Sequence, residues 1–306
     1  MSNLSSSGIL RLTIRLLLGV FFIGTAVLKL LSIDSFEVYI YSFGIVNYVT
    51  VTILSRLLIF IELLIGISLI FKIYFRQIWW LTMLMMAGFT IFLIYTAIFR
   101  NDSNCHCFGD LIKLNPTQSI FKNIITIALL LFIRKEKSHD YEPLLRKWLV
   151  ALTIVTSFVI SFVLLPMDVI YNRIYSDKEN VNTVAFYESI SDSTFVNLQH
   201  GRYLINYALA GCKYCRIGAE KLTLMVDRLG IPHDRIKFII GGSDEAIGRF
   251  IESTGTSDYE HWKIPAPTFM SITFGKFPLY VFIEDGKVVK AGDFRVLDDE
   301  IIDEFY

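Results

Sequence analysis

Five long apolar segments restrict what this chain of 306 residues can fold into more than any other feature of its sequence. Each is about long enough to cross, as a helix, the roughly 30 Å hydrocarbon core of a bilayer. The first is too long for a cleaved signal peptide and no small-residue cleavage site follows it, so we expect a retained membrane helix. We predict five membrane spans, at about 9–31, 50–71, 78–99, 118–133 and 148–166.

Composition divides the chain into three parts. Overall, 54% of the residues are hydrophobic and only 19% are charged, whereas soluble domains carry about 25% charged residues. Because the deficit is confined to the first half, we predict a four-helix bundle in 1–135, a cytoplasmic loop and a fifth span in 136–171, and a soluble domain in 172–306. The formal net charge is zero, which gives no indication of a nucleic-acid partner.

Lysine and arginine residues predict how the spans are oriented. They concentrate near the N-terminus and in the loops around 72–76 and 134–147, whereas the first loop on the other side, 32–50, contains none. Because positively charged loops stay on the cytoplasmic side, we expect a cytoplasmic N-terminus. Five spans then place the C-terminal domain, and the loop between spans three and four, on the periplasmic side of the inner membrane.

The four cysteines of the chain form two pairs of different spacing. Cys105 and Cys107 lie in NCHCFGD, and Cys212 and Cys215 lie in AGCKYCRIG. In the expected topology both pairs face one oxidising compartment, where disulfides form and persist. A cysteine at a helix N-terminus faces unpaired N–H groups and the positive end of the helix dipole, which stabilise a thiolate. We therefore expect Cys212 to be the exposed nucleophile and Cys215 the resolving cysteine; a structural disulfide or half of a zinc site is the alternative.

The spacing of Cys105 and Cys107 also favours redox chemistry. Residues two apart can bring their Cα atoms into the range of about 4.4–6.8 Å that a disulfide needs, and the strain of so small a ring makes the bond easy to reduce. Zinc held by Cys105, His106 and Cys107 is the competing interpretation, but neighbouring side chains in so short a run seldom converge on one tetrahedron. We predict a redox pair and no metal site.

Charged residues inside the predicted spans include Lys29, Arg56 and Glu62. An intramembrane charge is costly, so such residues are commonly functional. Glu62 can pair with Lys29 or Arg56, or the group can form a proton or quinone site, and the sequence leaves both interpretations open. No cysteine remains on the cytoplasmic side for a thiol relay across the membrane. We therefore expect a lipid-soluble carrier, a quinone, to exchange electrons with the protein.

Apolar runs and turn signals predict an α/β order in the soluble domain. We expect strands at 183–188, 202–209 and 236–240, helices after Cys215 and near 244–253, an insertion at 254–272, a hairpin from Pro278 with a turn at Asp285-Gly286, and a short terminal helix. This order, with a CxxC motif opening a helix, resembles a thioredoxin-like domain. The resemblance implies that Pro278 is a cis-proline facing Cys212 and Cys215. Asn206 departs from the pattern, because many members carry a buried Asp there and an amide cannot accept a proton.

Residues 1–135 resemble the MauE/DoxX-type membrane proteins. The likeness rests on four spans, on Lys29 in the first, on IELLIG in the second and above all on CHCFGD between the third and fourth. MauE is associated with methylamine utilisation and with maturation of a disulfide-rich dehydrogenase subunit, so the resemblance implies a role in disulfide chemistry. The layout is also similar to that of vitamin K epoxide reductase homologues, which pass electrons to a quinone, although the membrane-domain CxxC of that family is absent.

The sequence thus predicts an α-helical membrane bundle followed by an α/β thioredoxin-like domain, acting as a membrane-bound thiol–disulfide oxidoreductase on exported proteins. Electrons would pass between the CxxC and the CxC pairs and then to a quinone or a membrane redox protein. Two alternatives remain open. The chain could be a non-enzymatic accessory or maturation factor that anchors a redox complex, or it could bind soft metal ions through its cysteines.

Overall fold

The structure, a computed structural model, describes residues 6–100, 102, 104–136, 142–164, 167, 181–190 and 198–306. The chain forms two compact units. The first comprises Met1–Tyr39 and Ile53–Leu165, and the second comprises Ile40–Thr52 and Pro166–Tyr306.

Five apolar helices confirm the predicted membrane spans. A short additional helix, α2, lies in the first loop, and a short strand, β1, carries the second half of the CxC motif. The elements are α1 (Ser6–Leu31), α2 (Ile33–Tyr41), α3 (Tyr48–Phe71), α4 (Phe75–Phe99), β1 (Cys107–Asp110), α5 (Pro116–Ile133) and α6 (Pro143–Phe158), which continues through a π-helical turn at Val159–Val163. All of these helices except α2 are long and apolar enough to cross a membrane.

Two glycines allow α1 and α3 to cross in close contact. A Cβ atom added at Gly66 would lie 2.8 Å from the Gly19 carbonyl oxygen, and one added at Gly19 would lie 2.9 Å from the Gly66 carbonyl oxygen. Small residues at such crossings let the backbones of membrane helices approach each other. Lys29 and Glu62 lie on the same side of this crossing. At 1.5 Å per residue, Lys29 is about 15 Å along α1 from Gly19, and Glu62 is about 6 Å along α3 from Gly66. Their long side chains can therefore meet.

Polar contacts join the other spans of the first unit. The indole N–H of Trp79 in α4 donates to the Leu130 carbonyl oxygen in α5 at 2.8 Å, and the Asn123 amide in α5 donates to the Thr90 hydroxyl in α4 at 3.2 Å. At the opposite end of α1 from Lys29, the Arg15 guanidinium lies 3.1 Å from the Glu136 carboxylate and donates to backbone carbonyls at the end of α3. These contacts fix α5 beside α4 and α1 beside α3.

The second unit contains a five-stranded mixed sheet with the strand order β4-β3-β2-β5-β6. The central strand β2 is buried over 204–208, runs parallel to β3 and is antiparallel to β5. With its flanking helices, this arrangement confirms the predicted thioredoxin-like domain. The elements are α7 (Thr183–Ile190), β2 (Arg202–Leu209), α8 (Lys213–Leu229), β3 (Ile236–Gly241), α9 (Asp244–Thr254), β4 (Glu260–Trp262), α10 (Ala266–Thr273), β5 (Leu279–Glu284), β6 (Lys287–Gly292) and α11 (Asp299–Phe305).

The predicted strand at 183–188 is wrong, because this segment forms helix α7. A strand would place Val184 and Phe186 on one face, yet Val184 is 66% exposed and Phe186 is fully buried. Core positions are instead Val181 and Phe186, with Ala185 packed beside them, which is a helical spacing. The Asn182 side chain accepts a hydrogen bond from the Ala185 N–H at 3.2 Å and so starts the helix.

The segment 254–272, predicted as an insertion, supplies part of the sheet. Its residues Glu260–Trp262 form β4, which pairs in parallel with β3 at one edge of the sheet. The adjoining helix α10 buries Phe269 and Ile272 in the main core of the unit. A three-residue strand carries too little periodicity to be found from sequence, so its pairing with β3 decides its structure.

We expect Gly66→Ala to destabilise the bundle, because the added methyl group would meet the Gly19 carbonyl oxygen and the Ile23 backbone nitrogen. Overpacking of this kind costs about 1–3 kcal/mol. Gly88→Ala is the matched control, since a Cβ atom there has no atom within 4 Å. The measurement is the thermal unfolding midpoint of the full chain in detergent. Equal midpoints for the two variants would show that the glycine crossing is not a tight contact.

Candidate functional site

The CxC loop is held against the end of α1 by a glycine. Gly109 has φ +63°, and a Cβ atom there would lie 1.9 Å from the Ser32 hydroxyl and 2.6 Å from the Leu28 carbonyl oxygen. Only glycine fits both the left-handed backbone and the contact. The Asn104 side chain accepts from the His106 N–H at 3.1 Å, and the Cys105 N–H donates to the Leu114 carbonyl oxygen at 2.8 Å. The close contact of Gly109 with α1 and these hydrogen bonds together fix the positions of Cys105 and Cys107.

Cys105 is the thiol of the pair that favours the ionised form. Its side chain is only 3% exposed, and its sulfur lies 2.9 Å from the Ser119 hydroxyl and 3.3 Å from the Cys107 N–H. The pKa of Cys105 is lowered from 9.0 to about 6, chiefly by a hydrogen bond from the Cys107 thiol. Ser119, the Cys107 N–H and the Lys122 charge act in the same direction, whereas burial opposes them. The surroundings of Cys105 therefore favour its thiolate form.

Cys107 has the opposite character. Its hydrogen bond to the Cys105 sulfur and its burial raise the pKa of Cys107 well above the ordinary thiol value. Hydrogen bonding between the two sulfurs thus lowers the pKa of Cys105 and raises that of Cys107. Two thiols of unequal acidity are suited to thiol–disulfide exchange, because the more acidic thiol is the better leaving group.

Lys122 lies beside both cysteines and is a residue that sequence reasoning missed as part of the site. Its ammonium group is 4.8 Å from the ring centroid of Phe108 and 5.8 Å from that of Phe21, distances at which aromatic rings attract a cation. Its charge stabilises the Cys105 thiolate. The signal that could have identified it is a lysine one helical turn after Ser119 at the start of a membrane helix.

A small polar cavity joins Cys107 to the intramembrane charges. Its volume is about 20 Å³, and its lining combines apolar side chains with Thr25, Lys29, Glu62, Cys107, Lys122 and Asn123. Lys29 and Glu62 form an ion pair at 2.6 Å, with both side chains buried. The second carboxylate oxygen of Glu62 has no hydrogen-bond partner within the described ranges of the chain. The structure thus brings Lys29 and Glu62 next to one of the predicted redox cysteines.

Arg56 does not join this group. Its guanidinium forms a buried ion pair with Glu37 in α2, and the Ser55 hydroxyl donates to the same carboxylate at 2.9 Å. Of the two ion-pair partners that the sequence offered for Glu62, the structure selects Lys29. The partner of Arg56 lies in α2, a helix that the sequence did not predict.

His106, although it stands between the two cysteines, points to a different environment. Its ring stacks on Tyr39 with 4.7 Å between ring centroids, and its Nδ1 atom lies 3.2 Å from an Asp110 carboxylate oxygen. In the part of the chain that the structure describes, no group of three or more His, Cys, Asp or Glu side chains could hold a metal ion.

In the second unit, the CxxC motif opens helix α8 as expected. Cys212 is its N-cap, and the Cys212 sulfur accepts a hydrogen bond from the Cys215 N–H at 3.3 Å. Cys215 is fully buried and accepts from the Leu209 N–H at 3.4 Å. Burial raises the pKa of Cys215, and the Cys212 side chain adds to the effect. The partly exposed Cys212 can be reached by another protein, whereas Cys215 can react only with its neighbour.

Pro278 lies at the same end of the sheet as this motif. The Phe277–Pro278 peptide bond is cis, as the resemblance implied. Leu279, the next residue, is opposite Tyr207 in the β2–β5 register, so Pro278 adjoins the end of β2 that leads into Cys212. The structure therefore brings Cys212, Cys215 and Pro278 to one edge of the domain.

Asn206 pairs across the sheet with Tyr280, and both are fully buried. The Tyr280 hydroxyl lies under α8, since a Cβ atom added at Gly218 would be 2.5 Å from it. The two polar side chains thus face each other beneath α8. The CxxC helix therefore rests on two neutral polar groups and lacks the carboxylate found in many thioredoxin-like domains.

The fold and the cysteine pairs define a multi-pass membrane protein in which a helical bundle carrying CxC is linked to a thioredoxin-like domain carrying CxxC. The family model described as methylamine utilisation protein MauE matches residues 7–134, so the N-terminal part is similar to that family. A relative from Flavobacterium psychrophilum, Protein TlpB, is 29% identical over 71% of this chain and 72% of its own length. No solved structure matches the chain significantly.

The acidity of Cys105 can be measured directly. In a Cys212→Ser, Cys215→Ser background, we expect the ultraviolet absorbance of a thiolate to appear as the pH rises through about 6, because Cys105 loses its proton there. Ser119→Ala removes one of the groups that stabilise the thiolate and should move the transition to higher pH. A single transition near the ordinary thiol value of 9.0 in both proteins would contradict the description of this pair.

The Lys29–Glu62 ion pair leads us to expect a measurable contribution to the stability of the bundle. Glu62→Gln leaves the buried Lys29 ammonium without its carboxylate, and breaking a buried pair in this way costs about 3–5 kcal/mol. We expect a large fall in the thermal midpoint of the detergent-solubilised protein. Lys29→Met combined with Glu62→Leu removes both charges and should restore much of the loss. Equal midpoints for Glu62→Gln and the unaltered protein would show that the pair adds no stability.

Proposed function

We propose that the chain is a thiol–disulfide oxidoreductase of the inner membrane that acts on exported proteins, with a cytoplasmic N-terminus and a periplasmic C-terminal domain. The similarity to TlpB and to the MauE family model supports a thiol–disulfide role at the membrane. The observation that carries the proposal is the position of Cys105 beside Cys107, where the Ser119 hydroxyl and the Cys107 N–H both contact the Cys105 sulfur and favour its thiolate. Such a pair can accept or release electrons by closing and opening a disulfide.

The favoured direction is oxidation of client thiols. A client dithiol reduces the Cys212–Cys215 disulfide, and the client leaves with a new disulfide. The Cys212 thiolate then attacks the Cys107 sulfur of a Cys105–Cys107 disulfide, and Cys105 departs as the thiolate that its site stabilises. Cys215 next attacks Cys212, so the CxxC disulfide forms again and Cys107 is released as a thiol. Each cycle transfers two electrons to the CxC pair.

The reduced CxC pair, a Cys105 thiolate and a Cys107 thiol, must then lose two electrons and the Cys107 proton, and a membrane quinone is the acceptor that we propose. The chain has only four cysteines, so no third pair is available to carry the electrons further. Lys29 and Glu62 supply the proton path in this scheme. Glu62, which has one carboxylate oxygen without a partner among the described residues, lines the cavity that Cys107 also lines, and this carboxylate can accept the proton that Cys107 releases when the disulfide closes.

The MauE match favours a second function, in which the bundle is an accessory that anchors a maturation complex and the second unit binds its partner without redox turnover. In that case Cys105→Ser and Cys212→Ser together should leave maturation of the partner unchanged. An oxidoreductase should lose its activity in the same double variant.

A trapped intermediate tests the proposed relay. In Cys215→Ser, Cys212 cannot be resolved, so we expect a Cys212–Cys107 mixed disulfide in the purified full chain, found by peptide mass spectrometry without reductant. Cys212→Ser is the matched control and should contain no such link. A link to Cys105 would contradict the assignment of Cys105 as the leaving group. Absence of any link from Cys212 to either residue would contradict the relay.

A further inference from the structure

A second cavity in the bundle is large, apolar and distinct from the polar one. It is a groove of about 600 Å³ between α1 and α5, two of the helices that can span a membrane. Side chains at the groove surface, such as Leu17 (63% exposed) and Phe121 (67% exposed), are open to the surroundings of the bundle. The full lining is Ile14, Leu17, Leu18, Phe21, Leu114, Gln118, Phe121, Lys122, Ile125, Thr126 and Leu129.

The two cavities differ in what they can hold. About 20 Å³ at Cys107, Lys29 and Glu62 is room for about one water molecule, so a quinone ring cannot enter there. The groove volume lies within the range of roughly 300–1,000 Å³ typical of small-molecule sites. The residues predicted from sequence as a quinone or proton site therefore suit a proton, and the ring requires another place.

Phe21 and Lys122 connect the two cavities, because both residues line each of them. The Lys122 ammonium lies 4.8 Å from the ring of Phe108, which directly follows Cys107 in the chain. Lys122 therefore lies both at the cavity that Cys107 lines and at the groove. Gln118 and Thr126 are the other polar side chains of the groove, and its remaining lining is apolar.

We propose that the α1–α5 groove binds the head group of a lipid-soluble quinone, with Lys122 at the quinone oxygen. This proposal rests on the proposed function, because it locates the acceptor for electrons of the CxC pair. The Cys105 thiolate and the Cys107 thiol form a disulfide and give two electrons and one proton; the quinone takes the second proton from water and becomes a quinol. The Lys122 cation stabilises the negative charge that develops on the quinone oxygen as the electrons arrive. An isoprenoid tail would leave along the lipid-facing side chains of α1 and α5.

A variant that fills the groove tests the site. Leu17→Trp places a bulky side chain at the groove surface, and Leu84→Trp is the control, since Leu84 is 73% exposed on α4 and does not line the groove. The probe is decylubiquinone added to reduced full-length protein in detergent, and the readout is the rate of quinol formation across quinone concentrations. We expect Leu17→Trp to raise the KM for the quinone about tenfold and Leu84→Trp to leave it within about twofold.

Equal KM values for Leu17→Trp and Leu84→Trp would overturn the site, because the groove would then hold only lipid chains. Failure of the quinone to oxidise the unaltered protein would also overturn it, and a Cys212–Cys107 link in Cys215→Ser would show that the relay survives. Conversely, a selective effect of Leu17→Trp without any Cys212 link would support the groove and refute the relay.

Lys122→Met with Lys122→Arg as its conservative partner gives an independent test, and we expect only the arginine variant to retain quinone reduction.

Discussion

The contact of Gly109 with the end of α1 determines the chemistry of the membrane unit. Because a side chain at this position would overlap Ser32 and Leu28, the loop can approach α1 only with glycine. That approach brings Cys105 to Ser119 and places Cys107 on the cavity shared with Lys29 and Glu62. A loop held farther from α1 would leave the two thiols in similar surroundings, with no basis for their unequal acidity.

Burial raises the pKa of a thiol at both cysteine pairs, but other interactions outweigh it at only one of them. At Cys105 the cost of burying a thiolate is outweighed by hydrogen bonds and by the Lys122 charge, whereas at Cys215 burial dominates and keeps the proton on sulfur. The pKa of Cys215 is therefore raised, whereas that of Cys105 is lowered. In the proposed relay this difference makes Cys105 the better leaving group.

Local signals predicted the parts of the fold that depend on local sequence. The apolar runs identified the five spans, and CxxC before a helical pattern and Pro278 before a hairpin identified the thioredoxin-like domain. The parts that depend on packing could not be predicted. Strand β4 exists because it pairs with β3, and Lys122 joins the site because α5 packs beside the loop. The choice of Lys29 over Arg56 as the partner of Glu62 depends on the glycine crossing of α1 and α3 and on the unpredicted helix α2.

The central claim is that the Cys105–Cys107 disulfide withdraws electrons from the Cys212 and Cys215 thiols. The most direct measurement starts from fully oxidised full-length protein in detergent without quinone, adds less than one equivalent of a dithiol and locates the reduced cysteines by differential alkylation and mass spectrometry. We expect free thiols at Cys105 and Cys107, while Cys212 and Cys215 remain joined by a disulfide bond. Free thiols that stay at Cys212 and Cys215, with Cys105–Cys107 still closed, would contradict it.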